Sequence, residues 1–114
     1  MNEKLQKRLA ALNETSSLAD VQDYINEMIE ARGFGEETLK DVMILLTEEL
    51  GELARVVRKF SNMKMDTDKN YEFDASGEIA DIFIYLLGVC RLLKIDLFTA
   101  FKEKENRNSQ RVWK

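Results

Sequence analysis

The chain has no histidine, no proline, one cysteine and one tryptophan in 114 residues, and each shortage closes off a class of chemistry. Without imidazole, and with a lone thiol at Cys90, zinc sites built from Cys and His are excluded, as is a di-iron bundle centre that needs Glu-x-x-His pairs. A single cysteine allows no intrachain disulfide. With five glycines, mostly at segment ends, no proline and no apolar alternation of period two, no strand or hairpin signature remains, and the fold class is all-α. The opening stretch MNEKLQKRLAALNE lacks the apolar core of a signal peptide, and the longest apolar run, Ile79 to Cys90, is too short to span a bilayer. The expected location is cytoplasmic, with no membrane partner, and the Asn13-Glu14-Thr15 sequon is then incidental. A net charge of −4 and a pI near 5.0, without a basic stripe interleaved with aromatics, argue against nucleic acid as a partner.

What the chain does have is helical periodicity. Leu39, Val42, Met43, Leu46, Leu50, Leu53, Val57 and Phe60 recur at steps of three and four, as in a helix with one buried stripe. Ser16 or Ser17 is placed to cap a helix that stops at Arg32, before Gly33. A second helix is expected from about Glu37 to Phe60, a polar connection to about Phe73, a third from Asp74 or Ala75 to Leu93, and a fourth from Asp96 onward. A short extra helix fits Glu3 to Leu12. At 13.3 kDa this is one domain, large enough for a single core but too small to build a deep pocket from one helical layer. An oligomeric site is therefore favoured.

Two acid pairs, Glu49 with Glu52 and Glu78 with Asp81, sit three apart within the most apolar stretches. A helix turns about 100° per residue, so each pair shares one face. Glu49 projects inside the apolar stripe and Glu52 at its margin, whereas Glu48 points to the polar side. From Ile79 to Cys90 the sole charge is Asp81, so this helix reads as buried nearly all round. Neither Glu78 nor Asp81 has an obvious basic partner on its own helix. Several ionised carboxylates among hydrocarbon need a cation, protons or water. An all-oxygen donor set suits magnesium, manganese or calcium, and magnesium also takes ligands from substrate phosphates. Asp66, Asp68 and Asn70 open like an EF-hand loop, but Tyr71 stands where its Gly belongs and Gly77 where its Glu belongs, so that site is dismissed.

Thr47 to Lys59 (TEELGELARVVRK) and Gly77 to Asp96 (GEIADIFIYLLGVCRLLKID) resemble the E-x-x-E and E-x-x-D signature of the MazG-like all-α nucleotide pyrophosphohydrolases. The likeness runs from about Leu18, with the family's first-helix Gln at Gln22, to a final helix where Lys104, Asn108 and Arg111 fall on a Lys-x-x-x-Asn-x-x-Arg pattern. Residues 1–17 look variable beside it. The resemblance implies an antiparallel bundle of four to five helices, completed by self-association as a dimer or tetramer. It further implies magnesium, with manganese as a substitute, held by Glu49, Glu52, Glu78 and Asp81. The implied reaction cleaves a nucleoside triphosphate between the α and β phosphates, in a house-cleaning role. Glu48 and Glu49 would then be catalytic, Glu48 by orienting water, while Lys104 and Arg111 would meet phosphate and Asn108 would hydrogen-bond substrate or a metal-bound water.

The charge balance points the same way. Four carboxylates repel a triphosphate unless cations intervene, so binding and turnover should both require the divalent ion. Read as residues alone, the tail FKEKENRNSQRVWK is a solvated mixed-charge helix, and Arg55, Arg58 and Lys59 complement a helix dipole. Phe34, Tyr71, Phe73 and Trp113 offer rings for a base, although aromatics in small proteins are mostly core or interface. Cys90 reads as a small buried hydrophobe, and Met63 and Met65 fall in the connection. The competing reading is a non-catalytic helical oligomer whose acids are structural or regulatory.

Overall fold

A computed structural model of the chain describes residues 2–61, 64 and 74–114. Five helices account for its regular structure, with no strand among the described residues: α1 (Glu3–Ala11), α2 (Leu18–Ala31), α3 (Leu39–Phe60), α4 (Ala75–Leu93) and α5 (Leu97–Ser109). The all-α expectation holds. The connection between α3 and α4, with its EF-hand-like acids and with Met63, Met65, Tyr71 and Phe73, lies outside the described residues apart from Ser61, Lys64 and Asp74.

Each helix starts where a short polar side chain takes up an unpaired backbone N–H. Asn2 accepts from Leu5 N at 2.7 Å, and Asp96 accepts from Thr99 N at 2.9 Å. Ser17 with Asp20 and Thr38 with Asp41 form reciprocal capping boxes. Thr38 explains why α3 begins at Leu39, two residues later than the expected Glu37: the capping residue must itself be non-helical. Asp74 accepts from Gly77 N at 2.9 Å, as an N-cap does.

Two helices stop in Schellman turns, in which the next residues bond back to orphaned carbonyls. After α2, Gly33 N donates to Glu30 O at 3.1 Å and Phe34 N to Ile29 O at 2.9 Å, with Gly33 at φ +82°. After α4 the same pattern joins Lys94 N to Arg91 O at 3.3 Å and Ile95 N to Cys90 O at 2.9 Å. Here a lysine occupies the left-handed position, at φ +57°, where glycine carries no steric penalty.

The chain divides into two compact units, one of residues up to Glu37 together with Leu87–Lys114, the other of Thr38–Leu86. In the first unit α2 packs against both α1 and α5. Its core is Leu5, Tyr24, Ile25, Met28, Leu87 and Cys90, all buried. Leu5 is only 1% exposed, so α1, an optional extra in the sequence, is anchored in this core. Gln22, 7% exposed, clamps the corner between α4 and α5: its Nε2 donates to Ile95 O at 2.7 Å and its Oε1 accepts from Leu97 N at 3.0 Å. Ion pairs Arg8–Glu27 and Arg91–Glu30 flank the same packing. Cys90 is buried as expected, and that burial pushes its thiol pKa up.

In the second unit α3 and the first half of α4 carry the acids. Val42, Leu46 and Val56 are buried on α3. Beside them an exposed apolar stripe runs through Leu39, Met43, Leu50 and Val57, and α4 exposes Ile79, Phe83 and Leu86. The expectation of an α4 buried nearly all round is corrected on this point. Two helices have too few faces between them to cover a helix that is apolar round most of its circumference. No helix among the described residues is long and apolar enough to cross a membrane.

Candidate metal centre

The second unit brings together three of the four acids that the spacing singled out. One carboxylate oxygen each from Glu49, Glu78 and Asp81 lie within 4.8 Å of one another. α4 supplies Glu78 and Asp81 one turn apart on one face, and α3 supplies Glu49 from a position with buried Val42, Leu46 and Val56 in the same sector. Glu49 and Glu78 are half-buried, whereas Asp81 is exposed. The acids therefore sit at the edge of hydrocarbon rather than wholly within it, which is less embedding than the sequence suggested.

Three like charges so close shift the proton balance. Glu49 is pushed up to about 7, first by a carboxyl–carboxyl hydrogen bond with Glu78, then by burial, then by repulsion from Glu78, Asp81 and Glu52. A proton here is one way to relieve the repulsion. A second observation shows that relief by hydrogen bonding is incomplete: Glu78 Oε2 is buried with no hydrogen-bond partner. A buried carboxylate oxygen left unpaired is costly. Three carboxylates this close, one of them with an oxygen left unpaired, are a donor set that suits a hard divalent cation, so the residues fit such an ion.

Glu52 stands apart from the three. Its carboxylate is 3.4 Å from Arg55 Nη1 on the next turn, and both side chains are well exposed. It still contributes to the field at Glu49, being among the charges that raise it. The i,i+3 spacing of Glu52 and Arg55 was visible in the sequence, and it competes with the spacing that tied Glu52 to Glu49. Glu48 is exposed on α3.

The residues of the Lys-x-x-x-Asn-x-x-Arg pattern belong to the first unit. Lys104 and Asn108 lie on α5, but the helix ends at Ser109 with Gln110 as its C-cap, so Arg111 is beyond it. The expectation of a helix running on through Arg111 is thus corrected. The chain turns because Gln110 N and Arg111 N bond three residues back, to Arg107 O at 3.2 Å and Asn108 O at 3.1 Å. Trp113 then folds over Arg111, with the guanidinium carbon 4.7 Å from the ring centroid. No spacing rule announces this contact, because it depends on how a non-helical turn places two neighbouring side chains.

No protein-family model matches the chain. It is similar to a Salmonella phage PMBT28 protein named "dATP/dGTP diphosphohydrolase", with 34% identity over 99 residues. The alignment takes in 87% of this chain but 29% of the phage protein, so the chain spans less than a third of that relative.

Proposed function

We propose that this chain is a nucleotide pyrophosphohydrolase of the MazG-like type, magnesium-dependent, which splits a nucleoside triphosphate between the α and β phosphates to a monophosphate and pyrophosphate. The observation that carries this reading is the convergence of carboxylate oxygens of Glu49, Glu78 and Asp81 within 4.8 Å of one another, with one Glu78 oxygen buried and unpaired. The name borne by the phage relative, which covers dATP and dGTP, supports a deoxynucleoside triphosphate as substrate. A cytoplasmic, house-cleaning role is part of the same proposal and rests on the family resemblance alone.

Glu49, Glu78 and Asp81 would hold the cation, with Glu52 joining them when it leaves Arg55. A bound magnesium or manganese ion supplies charge neutralisation on phosphate oxygens and makes a coordinated water more acidic. Glu49 has to surrender its proton to serve as a ligand, which it does readily at and above neutral pH. Glu48, exposed one residue before Glu49, orients water at the edge of the cluster. Lys104 and Arg111 supply fixed positive charge to substrate phosphates, Lys as a point charge and Arg through its planar fork, and Asn108 adds a neutral donor. The apolar stripes of α3 and α4 support self-association as a dimer or tetramer, because the seven exposed large apolar side chains that form them exceed what scattered surface residues account for.

The deciding experiment is pyrophosphate release across a panel of standard and modified nucleotides, with and without chelator. Release that requires magnesium and is lost in Glu49→Gln is the expected result. A pure protein inert on the whole panel would leave the acids to a structural role.

A further inference from the structure

The turn that follows α5 holds an arrangement that hydrolysis does not by itself require. Trp113 Nε1–H donates to the backbone carbonyl of Asn108 at 3.2 Å, and Arg111 N donates to the same oxygen at 3.1 Å. One carbonyl therefore ties both residues to the end of the helix. Held in this way, the Arg111 guanidinium lies over the indole, 4.7 Å from its centroid. The geometry points to Trp113 as a positioning residue for Arg111, presenting its guanidinium to a phosphate group. This rests on the reading above in which Arg111 meets substrate phosphate.

Three observations favour this role. Stacking uses the face of the guanidinium and leaves its in-plane N–H donors free, and these are the groups that grip an oxyanion two at a time. Arg8, Arg55 and Arg91 are each paired with a carboxylate and Arg58 donates to Lys64 O, whereas among the described residues the Arg111 side chain, like those of Arg32 and Arg107, has no carboxylate or carbonyl acceptor, and of these three Arg111 alone lies over a ring. Trp113 is 70% exposed, so it is not filling a core, the usual reason to keep an indole. A cation whose donors are open but whose rotation is restricted loses less freedom when it takes up an anion.

The test uses two probes on the full chain: inorganic tripolyphosphate with magnesium, which has no base or sugar, for binding, and the best nucleotide of the panel for kinetics. Trp113→Ala is expected to weaken tripolyphosphate binding and to raise KM about three- to fivefold with kcat unchanged, the size of a solvent-exposed cation–π contact. Trp113→Phe keeps a ring face but loses the Nε1–H tie to Asn108 O, so it should fall between Trp113→Ala and wild type. In an Arg111→Gln background, Trp113→Ala should add nothing. The proposal is overturned if Trp113→Ala binds tripolyphosphate like wild type, or if its loss persists undiminished in Arg111→Gln. A loss seen with nucleotide alone would assign the ring to the base instead. A lower Tm and kcat with KM unchanged would make Trp113 merely structural. Should wild type turn over no nucleotide, the underlying hydrolase reading fails, and the tripolyphosphate arm still decides whether Trp113 serves Arg111 in binding anions.

Discussion

At the scale of single residues, the chemistry turns on Glu49. Its folded pKa of about 7 lies above its ordinary 4.5, so the folded chain binds that proton more tightly than the unfolded one. The resulting stabilisation is fully present below about pH 4.5 and is lost as pH rises through about 7. In chelator, Tm should therefore fall between those values, and Glu49→Gln should flatten the fall. Divalent ions reverse the slope, because proton and cation compete for one carboxylate, and the stabilisation by magnesium should grow from pH 6 to pH 8. Thermal scans at several pH values, with and without the ion, check both trends; a Glu49→Gln profile identical to wild type would remove the shared proton from the account. The same substitution should lower any pyrophosphate release by about a hundredfold or more, measured at saturating magnesium.

Helix by helix, the caps and corners fix where the side chains stand. Lys94 holds a left-handed backbone at φ +57° in the turn after α4. Replacing it with glycine should stabilise the protein by about 1 kcal/mol, read from chemical denaturation, because the Cβ clash disappears. Gln22→Ala should cost about 2–3 kcal/mol, since it strands Ile95 O and Leu97 N at the α4–α5 corner. The two sites differ in how far the sequence revealed them. A cap at Ser16 or Ser17, of which the structure uses Ser17, a helix opening at Asp96 and the stop before Gly33 all follow from local propensity. The Gln22 clamp bridges more than seventy positions of chain, and no local rule reaches so far. Glu49, Glu78 and Asp81 were legible because helical period alone puts them on apolar faces; the outward turn of Glu52 was not, because Arg55 and Glu49 both lie within its reach. Lys94 gives no such signal, because nothing in its residue type hints at a positive φ.

For the molecule as a whole, the exposed stripes of α3 and α4 are the feature left unbalanced. Leu50 and Val57 are each about half exposed on α3, and Ile79 is similarly open on α4. A charge placed there should leave a monomer folded but divide an oligomer. Leu50→Asp is expected to shift the mass found by light scattering towards one chain, whereas the same change at exposed Asn13 should not. A wild-type mass of one chain at all concentrations would remove self-association from the proposal. Cys90 also gains a use at this scale. It is the sole cysteine, 5% exposed and held protonated by its surroundings, so alkylating reagents should find nothing to attack while the chain stays closed. Adduct formation then becomes a clock for transient opening of the core, and any compound that slows it has been caught binding, whether or not it is ever cleaved.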